Sequence, residues 1–172
     1  MLAPNLPADG AAIIAFTSFD LWPGEGWNFV FGQASLRQRV GVWSLARFGD
    51  PADGPQSFTT CLRRTLKLAV HETGHMFTML HCTAYECVMC GSNSLEESDN
   101  QPLPLCPHCL AKLVWATRAD LQARFGQLAA FCRRNGLTPE ARYYEQALQL
   151  LRTNPVSLHI SEPTRRYAIS YA

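Results

Sequence analysis

The amino-acid sequence predicts an α+β fold in which a small β-sheet precedes several helices. Three short apolar and aromatic runs lie before residue 57, and they predict the strands. Helical periodicity begins at about residue 58 and returns after residue 110, on either side of a cysteine-rich segment. Strands followed by helices in this order are typical of the α+β class. The length of 172 residues suits a single domain with one hydrophobic core.

The first part of the domain, residues 1–57, contains the three predicted strands. Residues 11–16 are apolar and rich in isoleucine, which favours a buried strand. Residues 27–31 are aromatic and β-branched, and residues 40–45 show a similar composition after a polar connection. Residues 48–57 carry two prolines and two glycines, so we expect a loop there.

The second part is a helix predicted at residues 58–80, with Thr59 or Thr60 as its N-terminal cap. Its apolar positions recur at helical spacing, at Leu62, Leu66, Ala69 and Val70. The periodicity then disappears between residues 81 and 109. A loop of that length needs another source of order.

Two further helices are predicted in the last part, residues 110–172. Residues 110–134 form one amphipathic pattern, and Gly136 fits just beyond its end. The Thr-Pro-Glu sequence that begins at Thr138 is a strong helix start, with a cap, a first-position proline and an early acid. We expect this last helix to end at about Arg152, before a tail with little periodicity.

Composition narrows the class of protein. Apolar residues make up 47% of the chain and charged residues 17%, which is typical of a soluble globular protein. The net charge of +1 gives no global field that would recruit nucleic acid or an acidic membrane. No apolar run reaches the ~18 residues of a membrane span. The N-terminal residues do not resemble a signal peptide, so we expect a cytosolic protein, with a monomer as the default.

Three histidines and a glutamate predict a metal site. His71 and His75 are four residues apart, and on a helix this places them ~40° and ~6 Å apart, close enough to share one tetrahedral ion. His81 offers a third neutral ligand, and a catalytic zinc leaves its fourth position to water. Glu72 follows the first ligand and can reach that water as a general base. The alternative is a chance pair of histidines beside a solvated glutamate.

Cysteines predict a second metal site. The chain has seven, an odd number, and five of them lie in one short segment without a secretion signal. This crowding favours metal ligation over disulfides. Cys82 with Cys87 and Cys106 with Cys109 form two close pairs, which resemble a closed four-cysteine zinc site. Cys90 competes with Cys87 for a place in it, and free thiols or disulfides are the alternatives.

The remaining polar and thiol groups have plainer interpretations. We expect His108 to be a bystander inside the Cys106–Cys109 pair. We expect Cys61 and Cys132 to be buried thiols on helices. The acidic run is interpreted as part of a solvated loop; it consists of Glu96, Glu97 and Asp99.

These motifs together resemble the signature of the archaemetzincins, a family of zinc metallopeptidases in the metzincin clan. The matching elements are His71-Glu72-x-x-His75, His81-Cys82, Cys87-x-Met89 and Cys106-x-x-Cys109. Residues 27–35 are also similar to the strand that precedes the active-site helix of this family. The resemblance spans roughly residues 13–113.

The resemblance implies a zincin-like fold with a small twisted mixed sheet, and two zinc ions per chain. It implies that His71, His75 and His81 bind the catalytic zinc while Glu72 acts as the general base. Met89 would be the Met-turn residue beneath that metal. The structural zinc would be bound by Cys82, Cys87, Cys106 and Cys109. An extended peptide or protein substrate would lie along an edge strand at residues 27–34.

Thr78 departs from the family pattern, which has glycine at this position. If the helix continued, His81 would lie ~9 Å beyond His75 along the axis, out of reach of the same ion. The chain must therefore break near residue 78, where glycine adopts the left-handed conformation readily. A β-branched residue costs ~1–2 kcal/mol there. We expect the turn to form nevertheless, because metal binding can outweigh this cost.

The N-terminal strand and backing helix that such domains usually have before the equivalent of Ile13 are also expected to be missing. Together with Thr78, this leaves two functions open beside a peptidase. One is a catalytically weak or inactive zinc-stabilised binding domain. The other is a redox protein that uses Cys106 and Cys109, although no thioredoxin-like strand and helix surround them.

Overall fold

The computed structural model describes residues 5–26, 28–35 and 37–153, which form three strands and five helices. The strands are β1 (Ile13–Thr17), β2 (Gly32–Ser35) and β3 (Val40–Ser44). The helices are α1 (Pro55–Met76), α2 (Leu95–Asn100), α3 (Pro107–Thr117), α4 (Leu121–Arg134) and α5 (Thr138–Thr153). The predicted α+β class is confirmed. None of these helices has both the length and the apolar character needed to cross a bilayer.

The sheet is mixed and places β2 at one of its edges. The strand order is β1-β3-β2, with β1 parallel and β2 antiparallel to β3. Trp43 of β3 is fully buried and pairs with Gly32 of β2. A Cβ added to Gly32 would lie only 2.1 Å from Trp43 Cδ1, so a side chain there would displace the indole. This glycine leaves room for the Trp43 indole to pack against the edge strand.

The second strand lies later than the sequence predicted. The strand predicted at residues 27–31 is wrong for residues 28–31, since Val30 forms only an isolated bridge with Leu21. Phe31 instead packs its ring on Phe48, with ring centroids 5.9 Å apart. Aromatic composition here reflects packing between loops rather than pairing in a ladder. Trp27 lies outside the described residues.

Helix α1 begins earlier and ends earlier than predicted. Pro55 is the first residue of α1 and follows the N-cap Gly54, because the fixed φ of proline suits the first helical turn. Thr59 is therefore inside the helix and not its cap, and its Oγ1 donates to the Pro55 carbonyl at 2.8 Å. The helix ends at Met76.

The cysteine-rich segment contains a helix that the sequence analysis missed. Ser94 caps α2, and its Oγ accepts a hydrogen bond from the Glu97 amide at 3.1 Å. The signal for this start was the serine followed three residues later by glutamate. The acidic run assigned to a solvated loop thus lies on a short helix.

The single helix predicted at residues 110–134 is divided into α3 and α4. Arg118 adopts the left-handed conformation with φ 56° and ends α3. Asp120 then caps α4 by accepting hydrogen bonds from the amides of Gln122 and Ala123. Periodicity across the break concealed it, because each helix buries an apolar face, α3 mainly against the cysteine-rich segment and α4 against α5.

Helices α4 and α5 form a hairpin that packs against α1. Gly136, with φ 72°, follows α4 as predicted, and α5 begins at Thr138 as predicted. The Glu140 carboxylate of α5 is buried and accepts a 2.6 Å hydrogen bond from Arg63 Nε of α1. This ion pair fixes the hairpin to the helix that carries the histidines. The tail after Thr153 lies outside the described residues.

Candidate metal centres

His71 and His75 lie one turn apart near the C-terminal end of α1. Their Nε2 atoms are 3.0 Å apart. Nδ1 of His71 lies 2.8 Å from the Val88 carbonyl oxygen, and Nδ1 of His75 lies 2.7 Å from that of Met79. Each Nδ1 donates its hydrogen, which leaves a lone pair on each Nε2. Ligands at ~2.0–2.1 Å from a tetrahedral zinc lie ~3.3 Å apart, so this pair suits that ion.

His81 joins the pair because the chain breaks after α1. Thr78 adopts a left-handed conformation with φ 63°, and the predicted break is confirmed. The His81 ring centroid lies 5.2 Å from that of His71 and 5.0 Å from that of His75. One ring nitrogen from each histidine lies within 4.8 Å of the others. The three imidazoles can therefore hold one metal ion.

Replacing Thr78 with glycine should stabilise the protein by about 1 kcal/mol, because a β-branched side chain is strained at positive φ. Urea denaturation of the metal-loaded protein measures this change. Thr65→Gly is the matched control, since Thr65 lies inside α1 and its loss should destabilise by about 1 kcal/mol. A Thr78→Gly protein that unfolds at lower urea than the parent would contradict a strained turn.

Glu72 borders the same cleft as the histidines. The cleft has a volume of about 260 Å³, and His71, His81 and Gly32 of the edge strand also line it. Burial raises the pKa of Glu72, and the charges of His75 and His81 oppose this rise. Burial also lowers the pKa of His71, which favours the neutral imidazole that a metal requires. A carboxyl with a raised pKa can both accept and return a proton.

The four predicted cysteines converge on a second centre. The Sγ atoms of Cys82, Cys87, Cys106 and Cys109 lie within 4.8 Å of one another. The Cys82 and Cys106 sulfurs are 3.7 Å apart, and a tetrahedral zinc with ~2.3 Å bonds to sulfur separates its ligands by ~3.8 Å. The amide of Cys106 donates to Cys87 Sγ at 3.2 Å, and that of Cys109 donates to Cys106 Sγ at 3.4 Å. Such donors stabilise thiolates, so the donor set fits a structural zinc.

The surroundings of these thiols shift their pKa values in different directions. Burial raises the pKa of Cys87 and of Cys109. Burial also opposes ionisation of Cys82, but hydrogen bonds from the amides of Ala84 and Tyr85 and from the thiols of Cys106 and Cys109 together lower the pKa of Cys82 to about 7. Cys82 thus becomes a thiolate more readily than Cys87 or Cys109.

The other thiols and His108 lie outside this cluster. The competing Cys90 donates from Sγ to the Tyr85 carbonyl at 3.2 Å. His108 packs its ring edge-on against Tyr85, with centroids 5.0 Å apart. Cys61 and Cys132 are buried on α1 and α4, as predicted.

Met89 lies in the turn beneath α1 and is fully buried. The amide of Cys90 donates to the Cys87 carbonyl and closes this turn, and the Cys82 amide donates to the Met89 carbonyl at 2.8 Å. A Cβ added to Gly74 would lie 2.4 Å from Met89 Sδ, so this glycine lets α1 pack closely on Met89. The turn thus connects the histidine helix to the cysteine cluster.

Two basic side chains near the cleft escaped the sequence analysis. Lys67 of α1 is buried, and its Nζ donates to the carbonyls of Ser98 and Asp99 at 2.8 and 2.9 Å. Arg64 forms an ion pair with the Asp99 carboxylate through Nε and Nη2, although Asp99 is exposed as expected. The available signal was the spacing, because Lys67 lies four residues before His71 and shares its helix face.

Comparison with known proteins supports these centres. The sequence profile of Peptidase family M54 matches residues 9–114. Archaemetzincin-2 from Mus musculus is 36% identical over 171 residues, which cover 81% of this chain and 48% of the relative. The chain spans about half the length of the curated relatives it matches.

Solved structures show the same relationship. The archaemetzincin of Methanopyrus kandleri is 34% identical, with a TM-score of 0.56 over 68% of this chain and 62% of the other. The archaemetzincin of Archaeoglobus fulgidus, solved in complex with malonate, is 36% identical, with a TM-score of 0.50 over 59% and 60%. Sequence, fold and the two clusters of ligand atoms agree, and this chain belongs to peptidase family M54, the archaemetzincins.

Proposed function

We propose that this chain is a zinc-dependent metallopeptidase that hydrolyses peptide bonds with Glu72 as the general base. The observation that carries the proposal is the convergence of three imidazole nitrogens within 4.8 Å beside this carboxyl, in a cleft. Family membership supports the same reaction class. A catalytic zinc with three histidine ligands keeps a fourth position for water or substrate.

The histidines and Glu72 have separate roles in the proposed hydrolysis. A zinc ion held by His71, His75 and His81 would polarise the scissile carbonyl and acidify water. Glu72 takes a proton from the attacking water and returns it to the leaving amine. Carbonyl acceptors on Nδ1 of His71 and His75 keep both rings in the tautomer that binds metal.

The edge strand offers a place for the substrate backbone. β2 lies at the edge of the sheet, and Gly32 lines the cleft beside Glu72. An extended peptide can add to such an edge by main-chain hydrogen bonds. We therefore place the substrate along residues 32–35 rather than along the aromatic residues before them.

The cysteine cluster supports a second, structural zinc. Cys82 and Cys109 lie near the two ends of the cysteine-rich segment, and a closed site joins them. Since Cys82 follows His81 directly, the same metal helps to hold the third histidine. A monomeric state and a cytosolic location stay predictions from the sequence.

Metal analysis and a peptide-library screen test the proposal. The purified protein should contain about two zinc ions per chain. It should also cleave library peptides, lose this activity in 1,10-phenanthroline and regain it with added zinc. Bound zinc without cleavage of any peptide would instead indicate a zinc-stabilised binding domain. Little zinc and a reversible Cys106–Cys109 disulfide would indicate a redox protein.

A further inference from the structure

Lys67 places a buried ammonium beside the reactive centre. It lies one turn before His71 on α1, and together with His71 and Glu72 it lines the cleft. The residue is only 5% exposed, and its Nζ donates to the carbonyls of Ser98 and Asp99. These carbonyls belong to the last turn of α2, whose dipole favours a cation.

Among the described residues, no carboxylate forms an ion pair with the Lys67 ammonium. The nearby Asp99 carboxylate accepts hydrogen bonds from Arg64 Nε and Nη2, at 2.9 and 2.6 Å. The third guanidinium nitrogen of Arg64, Nη1, donates to the Phe48 carbonyl at 3.0 Å. Lys67 forms no ion pair in the part of the chain that the structure describes. An ammonium has three donors, and two of those of Lys67 are used by neutral acceptors.

We propose that Lys67 is a specificity-determining residue that binds a carboxylate of the substrate in the cleft. The proposal rests on the proposed function and names its substrate class, peptides with an acidic side chain or a free C-terminal carboxylate near the scissile bond. A buried cation with only neutral partners is costly, and an incoming carboxylate compensates it with a charge-assisted hydrogen bond. Burial also lowers the pKa of Lys67, and a bound anion counteracts that effect.

A purely structural role makes a different prediction. Lys67 also holds α2 against α1, and α2 contributes Leu95 and Ser98 to the cleft wall. If Lys67 only anchored α2, replacing it would weaken the binding of all peptides equally. A substrate contact instead affects only the peptide that carries the carboxylate.

Binding measurements separate the two roles without requiring turnover. The zinc-loaded Glu72→Ala protein is titrated into fluorescent alanine-based peptides that carry one Glu or one Gln at successive positions. A second set compares free with amidated C-termini. At one position, the Glu peptide or the free C-terminus should bind about 10- to 100-fold more tightly than its neutral partner. The set that shows the difference identifies the source of the carboxylate.

Adding Lys67→Gln should abolish this difference, since the amide keeps two donors for the α2 carbonyls but has no charge. Lys67→Met is the second variant if the glutamine protein does not fold. Lys112→Met is the matched control, because Lys112 is the other lysine of the chain and is exposed on α3. It should retain the full preference.

Equal affinity for Glu and Gln peptides in both sets, or no binding to any of them, would overturn the inference. An equal loss for charged and neutral peptides in the Lys67 variants would also overturn it, leaving only the anchoring role. Failure of the proposed function has a separate readout, because the wild-type protein would then cleave no library peptide whatever its binding preference.

Discussion

Glu72→Ala should abolish detectable peptide cleavage while leaving both metal centres filled. General acid–base catalysis contributes about 10²- to 10⁴-fold to such reactions, so we expect kcat/KM to fall by that factor. Metal content should not change, because the proposed ligands are His71, His75 and His81 and not the carboxylate. Peptide hydrolysis and elemental analysis of the same preparation measure the two effects together.

Glu25→Ala is the matched control for this experiment. Glu25 is an exposed carboxylate in the loop before the edge strand, so its removal should leave hydrolysis unchanged. A Glu72→Ala protein that cleaves at the parental rate would exclude Glu72 as the base. A variant that loses metal as well as activity would instead show that the carboxyl supports the site structurally.

Cys87→Ser should remove one zinc ion and greatly destabilise the cysteine-rich segment. Structural zinc supplies about 10–16 kcal/mol in small zinc domains, which is comparable with the whole stability of a domain. We therefore expect the thermal midpoint to fall by roughly 10 °C or more. Activity should also fall, because Cys82 would no longer be held by metal next to His81. Calorimetry with zinc analysis measures both changes.

Cys90→Ser provides the matched comparison within the same turn. Cys90 is half-buried and its Sγ donates to the Tyr85 carbonyl, a bond that a serine hydroxyl can replace. We expect two zinc ions and a thermal midpoint within about 2 °C of the parent. If Cys90→Ser loses the metal and Cys87→Ser keeps it, the ligand assignment must be exchanged between these residues.

The break at Thr78 could be predicted from the sequence, but its conformation could not. The separation of His75 and His81 on a continuous helix exceeds what one ion can bridge, so the break followed from helical rise alone. The structure shows how the chain breaks: Thr78 itself adopts a positive φ, at the position where the family pattern has glycine. Local preference opposed this conformation, and the packing of Met89 under Gly74 and the turn around it stabilise it.

The errors arose where tertiary packing overrides local composition. Residues 27–31 have the composition of a strand, but Phe31 packs on Phe48 and the ladder begins only at Gly32. Residues 110–134 have one helical period, but Arg118 and Asp120 end one helix and start another. A periodic pattern indicates which face of a helix is buried. Helices α3 and α4 each bury one face, in two clusters that Leu110 contacts, so the period alone could not reveal the break.

By itself, the sequence determined the two candidate sets of metal ligands, because ligand type and ligand spacing are local properties of the chain. Three residues lie between His71 and His75, and two lie between Cys106 and Cys109, and this spacing restricts the donors to one helix face or one short turn. Only the tertiary structure decided what surrounds those donors. The carbonyls that orient the imidazoles, the edge strand beside Glu72 and the buried ammonium of Lys67 come from segments distant in sequence. Contacts of this kind depend on how helices and strands pack, and no spacing along one chain segment encodes them.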